Sequence, residues 1–339
     1  MNVLLVRPDG IGDQILCLPV ATELRRRLPD VRLTFLSSDY AAPVLHRHPD
    51  LDDVLTVSGQ EGLRQLVGLF RRGFDVAIFL KPFRRLMLAA FLARVPNRVA
   101  TGYRWYSALA NRRVYEHRSE FARHESEYNV GLLRGLGLEP GPVVRPMLVL
   151  TAQEREWASA CLGESSSPRV VLHPGGFAAR RWQSQHYRDL ADRLVSQGLH
   201  VVFTGSAAEA VRFQTETGSV PRDVRGMTNL MGRLSVRELM AIIGASQVVV
   251  SGATGPAHIA AALGVATVSL FDPRRNNLPV RWAPLGRGVV LRPDVPTCEK
   301  CIYEACPYWD CLDRITVDDV FARIRQVVHG AESLTVAHV

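Results

Sequence analysis

The chain has 339 residues, 47% of them hydrophobic, with 41 Lys or Arg against 33 Asp or Glu and a formal charge of +8. That is ample for a buried core and suggests two domains of ordinary size. The charge favours acidic partners, but no Lys/Arg-rich tail or basic helix face accompanies it, which sets nucleic acid aside in favour of phosphates or an anionic membrane surface.

Met1 leads straight into the apolar run "NVLLV" with no basic stretch before it. The expectation is a cytoplasmic chain without an export signal. In chain order, "NVLLVRP" reads as a first strand and "IGDQILCLPVATELRRRLP" as a helix with apolar positions three and four apart. "VRLTFLSS", short helical "YAAPVLHRHP", strand "DDVLTVS", helical "EGLRQLVGLFRRG" and strand "DVAIFL" follow. Strands alternating with helices, several apolar on both faces, predict a covered parallel sheet. From Leu80 to Arg118 the pattern weakens. Between Lys81 and Arg118 there are nine Lys or Arg and one acid, Glu116, interleaved with Tyr103, Trp105 and Tyr106. This stretch reads either as a solvated basic face or as a surface for an acidic acceptor, with Lys81, Arg84 and Arg104 as candidate contacts.

Helical "SEYNVGLLRGLGL" and the proline-rich "EPGPVVRP" close the first half, and "GESSSPR" reads as a linker. A second alternation follows: strand "VVLHPG", helix "YRDLADRLVSQG", strand "HVVFTGS", helix "SVRELMAIIGAS", strand "VVVSG", helix "GPAHIAAALG" and strand "ATVSLFDP". Leu239 to Phe271 lacks any Asp, Glu, Lys or Arg. Glycines, serines and Pro256 divide it into pieces too short to span a bilayer. "ITVDDVFARIRQVVHG" predicts a closing helix. The expected domains are 1–160 and 168–325, with a C-terminal tail at 326–339 of which the last few residues are loose. Two doubly wound domains predict ligands at the carboxyl ends of the strands, around a cleft between them.

Four motifs could carry chemistry. In "RPDGIGDQILCLP", Gly10 and Gly12 are not followed by a third glycine, because Ile15 stands there, so the dinucleotide and Walker fingerprints both fail. Asp13 is then either a first-turn helix acid or a general base at the strand's end. In "SGATGPAHIAAALG", Gly255-Pro256 opens a helix whose free N–H groups suit a diphosphate, with Thr254 and His258 in reach. "HPGGFAARRWQSQHY" combines a glycine turn with Arg180 and Arg181, fitting a phosphate clamp. "FTGSAAE" adds Gly205, Ser206 and Glu209 nearby. Lastly, "CEKCIYEACPYWDC" places Cys298, Cys301, Cys306 and Cys311 within fourteen positions. In a reducing compartment this means a structural zinc or iron site or a reduced loop.

Together, "VLLVRPDGIGDQILCLP", "HPG…RRWQ", "SGATGPAHIAAALGVATVSLFDP" and "CEKCIYEACPYWDCLDRIT" resemble glycosyltransferase family 9, the ADP-heptose lipopolysaccharide heptosyltransferases. The resemblance implies a GT-B fold of two Rossmann-like α/β domains facing a central cleft. It implies acceptor binding mainly by the first domain and nucleotide sugar by the second, with inverting transfer that needs no metal. It further implies Asp13 as the base, with Gly12 beside the acceptor. The donor would meet Arg180, Arg181, Gly205, Ser206, Glu209, Thr254, Gly255 and His258. Two residues depart from the family pattern: Ala253 stands where an aspartate is usual, and Arg180 where a lysine is usual. The implied partners are ADP-heptose, an anionic glycolipid of the lipopolysaccharide inner core, and the membrane surface in peripheral contact. A protein or natural-product acceptor, or a non-catalytic sugar-nucleotide-binding protein, are the alternatives.

Overall fold

The computed structural model describes residues 1–163, 167–176, 180–328 and 335–338. Part of the expected linker and part of the expected glycine loop lie outside the described residues. Contacts divide the chain into two units, Met1–Val149 and Leu150–Val339.

The first unit carries six strands: β1 Asn2–Val6, β2 Arg32–Ser38, β3 Asp53–Val57, β4 Val76–Phe79, β5 Asn97–Thr101 and β6 Arg112–Val114. They form one parallel sheet in the order β3-β2-β1-β4-β5-β6. Val3 to Val6 are buried because β1 has a strand on either side and is covered on both faces, which is why "NVLLV" is apolar without alternation. Five helices accompany the sheet: α1 Ile11–Ile15, α2 Leu18–Arg27, α3 Leu63–Phe70, α4 Arg84–Leu92 and α5 Glu125–Gly131. The single helix expected over Ile11 to Pro29 is two. Pro19 lies in the first turn of α2, where its missing N–H has no partner to lose, and the chain restarts there. "YAAPVLHRHP" forms only a 3-10 turn, Ala42–Leu45. The stretch with the weakest pattern holds α4, β5 and β6. β6 is three residues long and ends the sheet with Arg112 and Arg113 exposed, so it shows no period to read.

The second unit begins with α6, Ala152–Leu162. The sequence reading carried the first domain to residue 160, and the structure ends it at Val149 instead. The helix is tied to its new neighbour: Arg237 Nε and Nη2 donate to the two oxygens of Glu154 at 2.6 and 2.5 Å. Arg237 belongs to α9, Val236–Gly244, which follows α7 Ser184–Ser196 and α8 Ala207–Thr217. Then come α10 Gly255–Leu263, α11 Pro279–Trp282 and α12 Val317–Val328. The strands are β7 Arg169–His173, β8 His200–Phe203, β9 Met227–Asn229, β10 Val248–Gly252, β11 Ala266–Leu270, β12 Gly288–Arg292 and β13 Thr335–His338. Their order is β13-β12-β11-β10-β7-β8-β9, again parallel. The expected closing helix is α12, and it runs across the residue-326 boundary set for the tail. α12 continues to Val328 and β13 completes the sheet beside β12.

The uncharged stretch from Leu239 to Phe271 resolves into α9, β10, α10 and β11. Among the described residues no helix is long and apolar enough to cross a membrane.

Candidate active site

In both sheets the strand order reverses beside a central strand, the position at which open parallel sheets bind ligands. In the first unit the reversal lies between β1 and β4. The turn after β1 carries Arg7, Asp9 and Asp13, and the residue after the buried Leu80 that follows β4 is Lys81. Asp13 lies in the first turn of α1 and does not cap it: the cap position is Gly10, in extended backbone with no side-chain bond. A Cβ on Gly10 would come within 3.2 Å of Asp13 Oδ2, so glycine leaves room for the carboxylate. Asp13 Oδ1 accepts from Arg7 Nη2, and about a third of the side chain stays exposed. Burial pushes its carboxyl above the ordinary aspartate value, against the pull of Arg7. Arg7 Nε donates to Asp9 at 2.9 Å, Arg7 Nη1 to Glu125 at 3.1 Å, and Lys81 Nζ to Asp9 at 3.0 Å.

In the second unit the order reverses between β7 and β10. Behind β7 the chain turns through Gly175 and Gly176. A Cβ on Gly175 would lie 2.1 Å from Glu209 Oε1, and one on Gly176, whose φ is +130°, would lie 2.4 Å from Thr254 Cγ2. At Gly175 any side chain makes its neighbours shift, and at Gly176 the positive φ favours glycine as well. Glu209 is the third residue of α8 and closes a capping box with Ser206. Its two oxygens accept from Gly176 N at 2.8 Å and Ser206 N at 2.7 Å. Burial raises its carboxyl, but His173 and those N–H groups outweigh burial and hold it below the ordinary value. Burial lowers the pKa of His173 against the opposing pull of Glu209, and its Nδ1 lies 3.0 Å from Thr204 Oγ1.

Behind β10, Thr254 takes the cap position of α10 without bonding to it, and its Oγ1 is buried with no hydrogen-bond partner among the described residues. Pro256 in the first turn removes one N–H, and His258 one turn on is buried. Arg180 Nη2 likewise has no hydrogen-bond partner; its guanidinium lies over the Tyr303 ring at 5.3 Å, with Glu304 3.8 Å away. Arg180, Arg181, Gly175, Thr254, Asp272 and Asn277 line one concavity. Unmet donors at the positive end of a nine-residue helix, beside a guanidinium, make an anion site.

The model of glycosyltransferase family 9 (heptosyltransferase) matches residues 64–308, well over half of the chain. The chain belongs to glycosyltransferase family 9. Lipopolysaccharide heptosyltransferase 2 of Salmonella typhimurium is 25% identical over 291 residues, covering 80% of this chain and 83% of that one. The fold matches that of E. coli ADP-heptose lps heptosyltransferase II with a TM-score of 0.81, at 24% identity over 97% of this chain and 99% of the other. A family 9 glycosyl transferase from Veillonella parvula gives 0.82 at 18% identity, over 97% of each chain. The two parallel Rossmann-like sheets are those of a GT-B enzyme.

Seen as a family 9 glycosyltransferase, the molecule gathers some expected residues and scatters others. Thr254, Gly255, Arg180 and Arg181 meet behind β7 and β10, and Gly205, Ser206 and Glu209 lie beside them. Glu209 is committed to backbone N–H groups and so acts by holding the glycine turn. Lys81 joins Asp9, next to Asp13, and Gly12 shares the first turn of α1. Arg84 at the start of α4 and Arg104 before the 3-10 turn Trp105–Leu109 are exposed and stand outside that ion-pair network.

Sequence reasoning missed Arg7, Asp9, Glu125 and Asp272. Asp272 is buried just beyond β11 and accepts three hydrogen bonds from Arg274, at 2.6, 2.9 and 3.1 Å. A charged residue at the end of an apolar strand was the available signal for Arg7 and Asp272. Glu125 had none.

Of the two readings of Cys298, Cys301, Cys306 and Cys311, a structural metal or a reduced loop, the structure lends no support to the metal. All four line one concavity, yet among the described residues no group of three or more His, Cys, Asp or Glu is placed to hold a metal ion. Burial pushes the Cys298 thiol up and that of Cys311 to about 11.

Proposed function

We propose that this glycosyltransferase moves a heptose from ADP-heptose to a hydroxyl of an anionic acceptor, the lipopolysaccharide inner core, by an inverting transfer without a metal ion. The observation that carries the reading is a pair of buried donors on one concavity, Thr254 Oγ1 at the start of α10 and Arg180 Nη2, neither with a hydrogen-bond partner among the described residues. A diphosphate would satisfy both and would meet the helix N–H groups as well. Charge developing on the departing diphosphate falls on those same groups, which act where charge appears and so favour the transition state. Ala253 leaves no carboxylate at the start of the α10 turn. Asp272 is the nearby buried carboxylate: Gly252 pairs with Leu270, which puts Asp272 at the level of Thr254.

On the first unit, Asp13 takes the proton of the acceptor hydroxyl as it attacks the anomeric carbon, and the sugar–diphosphate bond breaks on the opposite side. Lys81 supplies positive charge beside it. Trp105, Tyr103 and Tyr115 are exposed among Arg84, Arg104, Arg112 and Arg113. Such a surface suits an acidic glycolipid and anionic headgroups, consistent with peripheral attachment at the cytoplasmic face of the membrane.

A donor screen by thermal unfolding tests the reading. ADP-heptose and ADP should raise the transition in proportion to RT ln(1 + [L]/Kd), while UDP- and GDP-sugars at equal concentration should leave it in place. Stabilisation by a uridine or guanosine sugar alone would remove ADP-heptose as the donor.

A further inference from the structure

β1 ends by burying a guanidinium. Arg7 is 2% exposed, directly behind four apolar residues of a central strand. Its Nε donates to both oxygens of Asp9 at 2.9 and 3.1 Å. Its Nη1 donates to Glu125 Oε1 at 3.1 Å and to the Leu80 carbonyl at 3.4 Å, and its Nη2 donates to Asp13 Oδ1. Glu125 is held in turn by Arg118 Nη1 at 2.7 Å, and Asp9 by Lys81 at 3.0 Å. The fork is thus fixed from the turn after β1, the end of β4 and α5, all independent of Asp13. Whatever α1 does, Nη2 stays aimed at the place where the Asp13 carboxylate sits.

A buried cation is costly unless it is paired on all sides, and an apolar residue would serve the core at least as well. We infer that Arg7 is a positioning residue of the transfer site: it holds the Asp13 carboxylate in one orientation and keeps it ionised at the pH where the enzyme works. The inference rests on Asp13 being the base proposed above.

The groups facing Asp13 decide its charge. Burial and the negative Asp9 favour its protonated form; Arg7 and Lys81 favour the carboxylate. Glu125, Arg118 and Cys17 lie behind Arg7 and act through it. Burial opposes the charge on Arg7, but its neighbours outweigh burial and raise its pKa, so the guanidinium stays charged throughout. Without that guanidinium, burial and Asp9 would be opposed by Lys81 alone, and Asp13 would hold its proton to higher pH. A role confined to core packing would lower stability and leave the titration of Asp13 where it is.

The test reads Asp13 directly. Full-length protein labelled with 13C at the aspartate carboxyl carbon is titrated by NMR between about pH 3 and 8, and the Asp13 signal is assigned by its loss in Asp13→Asn. In Arg7→Met the Asp13 midpoint should rise by about one unit, a tenfold gain in proton affinity, and the acidic limb of ADP release from ADP-heptose should move with it. Arg7→Lys keeps the charge but not the fork and should raise the midpoint by less; it carries the test if Arg7→Met does not fold. An Asp13 midpoint that stays in place in the folded variant overturns the inference. Undiminished transfer by Asp13→Asn would instead sink the reading of Asp13 as base, and the two failures are separable because the NMR midpoint needs no turnover.

Discussion

The two sites are built on the same plan and finished in opposite ways. Each lies where the strand order reverses, behind a buried apolar strand and a glycine turn. In the first unit the charged groups are paired with one another: Arg7 with three carboxylates, Lys81 with Asp9, Arg118 with Glu125. In the second the glycine turn is tightly anchored by Glu209, yet among the described residues Thr254 Oγ1 and Arg180 Nη2 have no hydrogen-bond partner. A network that satisfies itself is suited to holding one carboxylate at a chosen proton affinity. Buried donors with nothing to bond are suited to taking up an anion, because the ligand removes a penalty that the empty site carries. In the proposed reading, chemistry and binding are thus divided between the units.

The sharpest way to break that division is Asp13→Asn. It should lower turnover by about two orders of magnitude or more while donor affinity stays within about twofold, a loss of the size general-base removal produces. Single-turnover rates and ADP titration read the two quantities, and an unchanged rate would take proton transfer away from the first unit. In the unaltered enzyme the rate should rise with pH through the Asp13 pKa, which burial places above the ordinary aspartate value, and then level off, since the ionised form is the active one.

Gly175→Ala probes the other side. The added methyl meets Glu209 Oε1 at 2.1 Å, and the turn, the α8 cap or both must yield. Overpacking of this kind costs about 1–3 kcal/mol. The expectation is lower thermal stability together with weakened ADP binding; full ADP affinity would show that the turn does not shape the anion site.

Arg180→Ala should weaken ADP binding by roughly tenfold or more, the scale of one charge-assisted hydrogen bond, with a smaller effect on the Asp13 titration. Equal ADP affinity by calorimetry would place the clamp elsewhere, and Arg181, on the same concavity, is the next candidate.

The smallest effect concerns the boundary between the units. Glu154→Gln removes a partly exposed bidentate pair with Arg237 and should cost about 0.5–1 kcal/mol of stability. The Glu154 carboxyl is held at about 2, chiefly by Arg237. A depressed carboxyl adds stability that is present above its unfolded-state value and is lost as pH falls toward the folded one. The difference between wild type and variant in thermal unfolding should therefore be full at neutral pH and vanish near pH 2. A difference that persists there would mean the helix is held by something else.

Much of the plan was legible in residues. The alternation of apolar runs with helical spacing is readable because a parallel strand covered on both faces has no polar side to interrupt it, as in Val3 to Val6 and Val248 to Val250. The glycine turns were legible for a related reason: Gly175 and Gly176 stand where a side chain would crowd its neighbours. β6 and β9, three residues each, were not legible, because a strand that short has no period. Nor was the partner of Arg7. Glu125 lies 118 residues away, and nothing in "HESEY" separates a buried carboxylate from a helix-surface one.

By itself, then, the sequence determined the class of fold, the two turns that face ligands and the residue types placed on them, since these depend on local periodicity and on the steric demands of single positions. Only the tertiary structure decided which charges neutralise one another, that α6 belongs to the second unit, and that Asp13 sits under an arginine. Those outcomes depend on distances between residues far apart in the chain, and on the low dielectric of the interior, where a charge survives only if the fold brings it a partner.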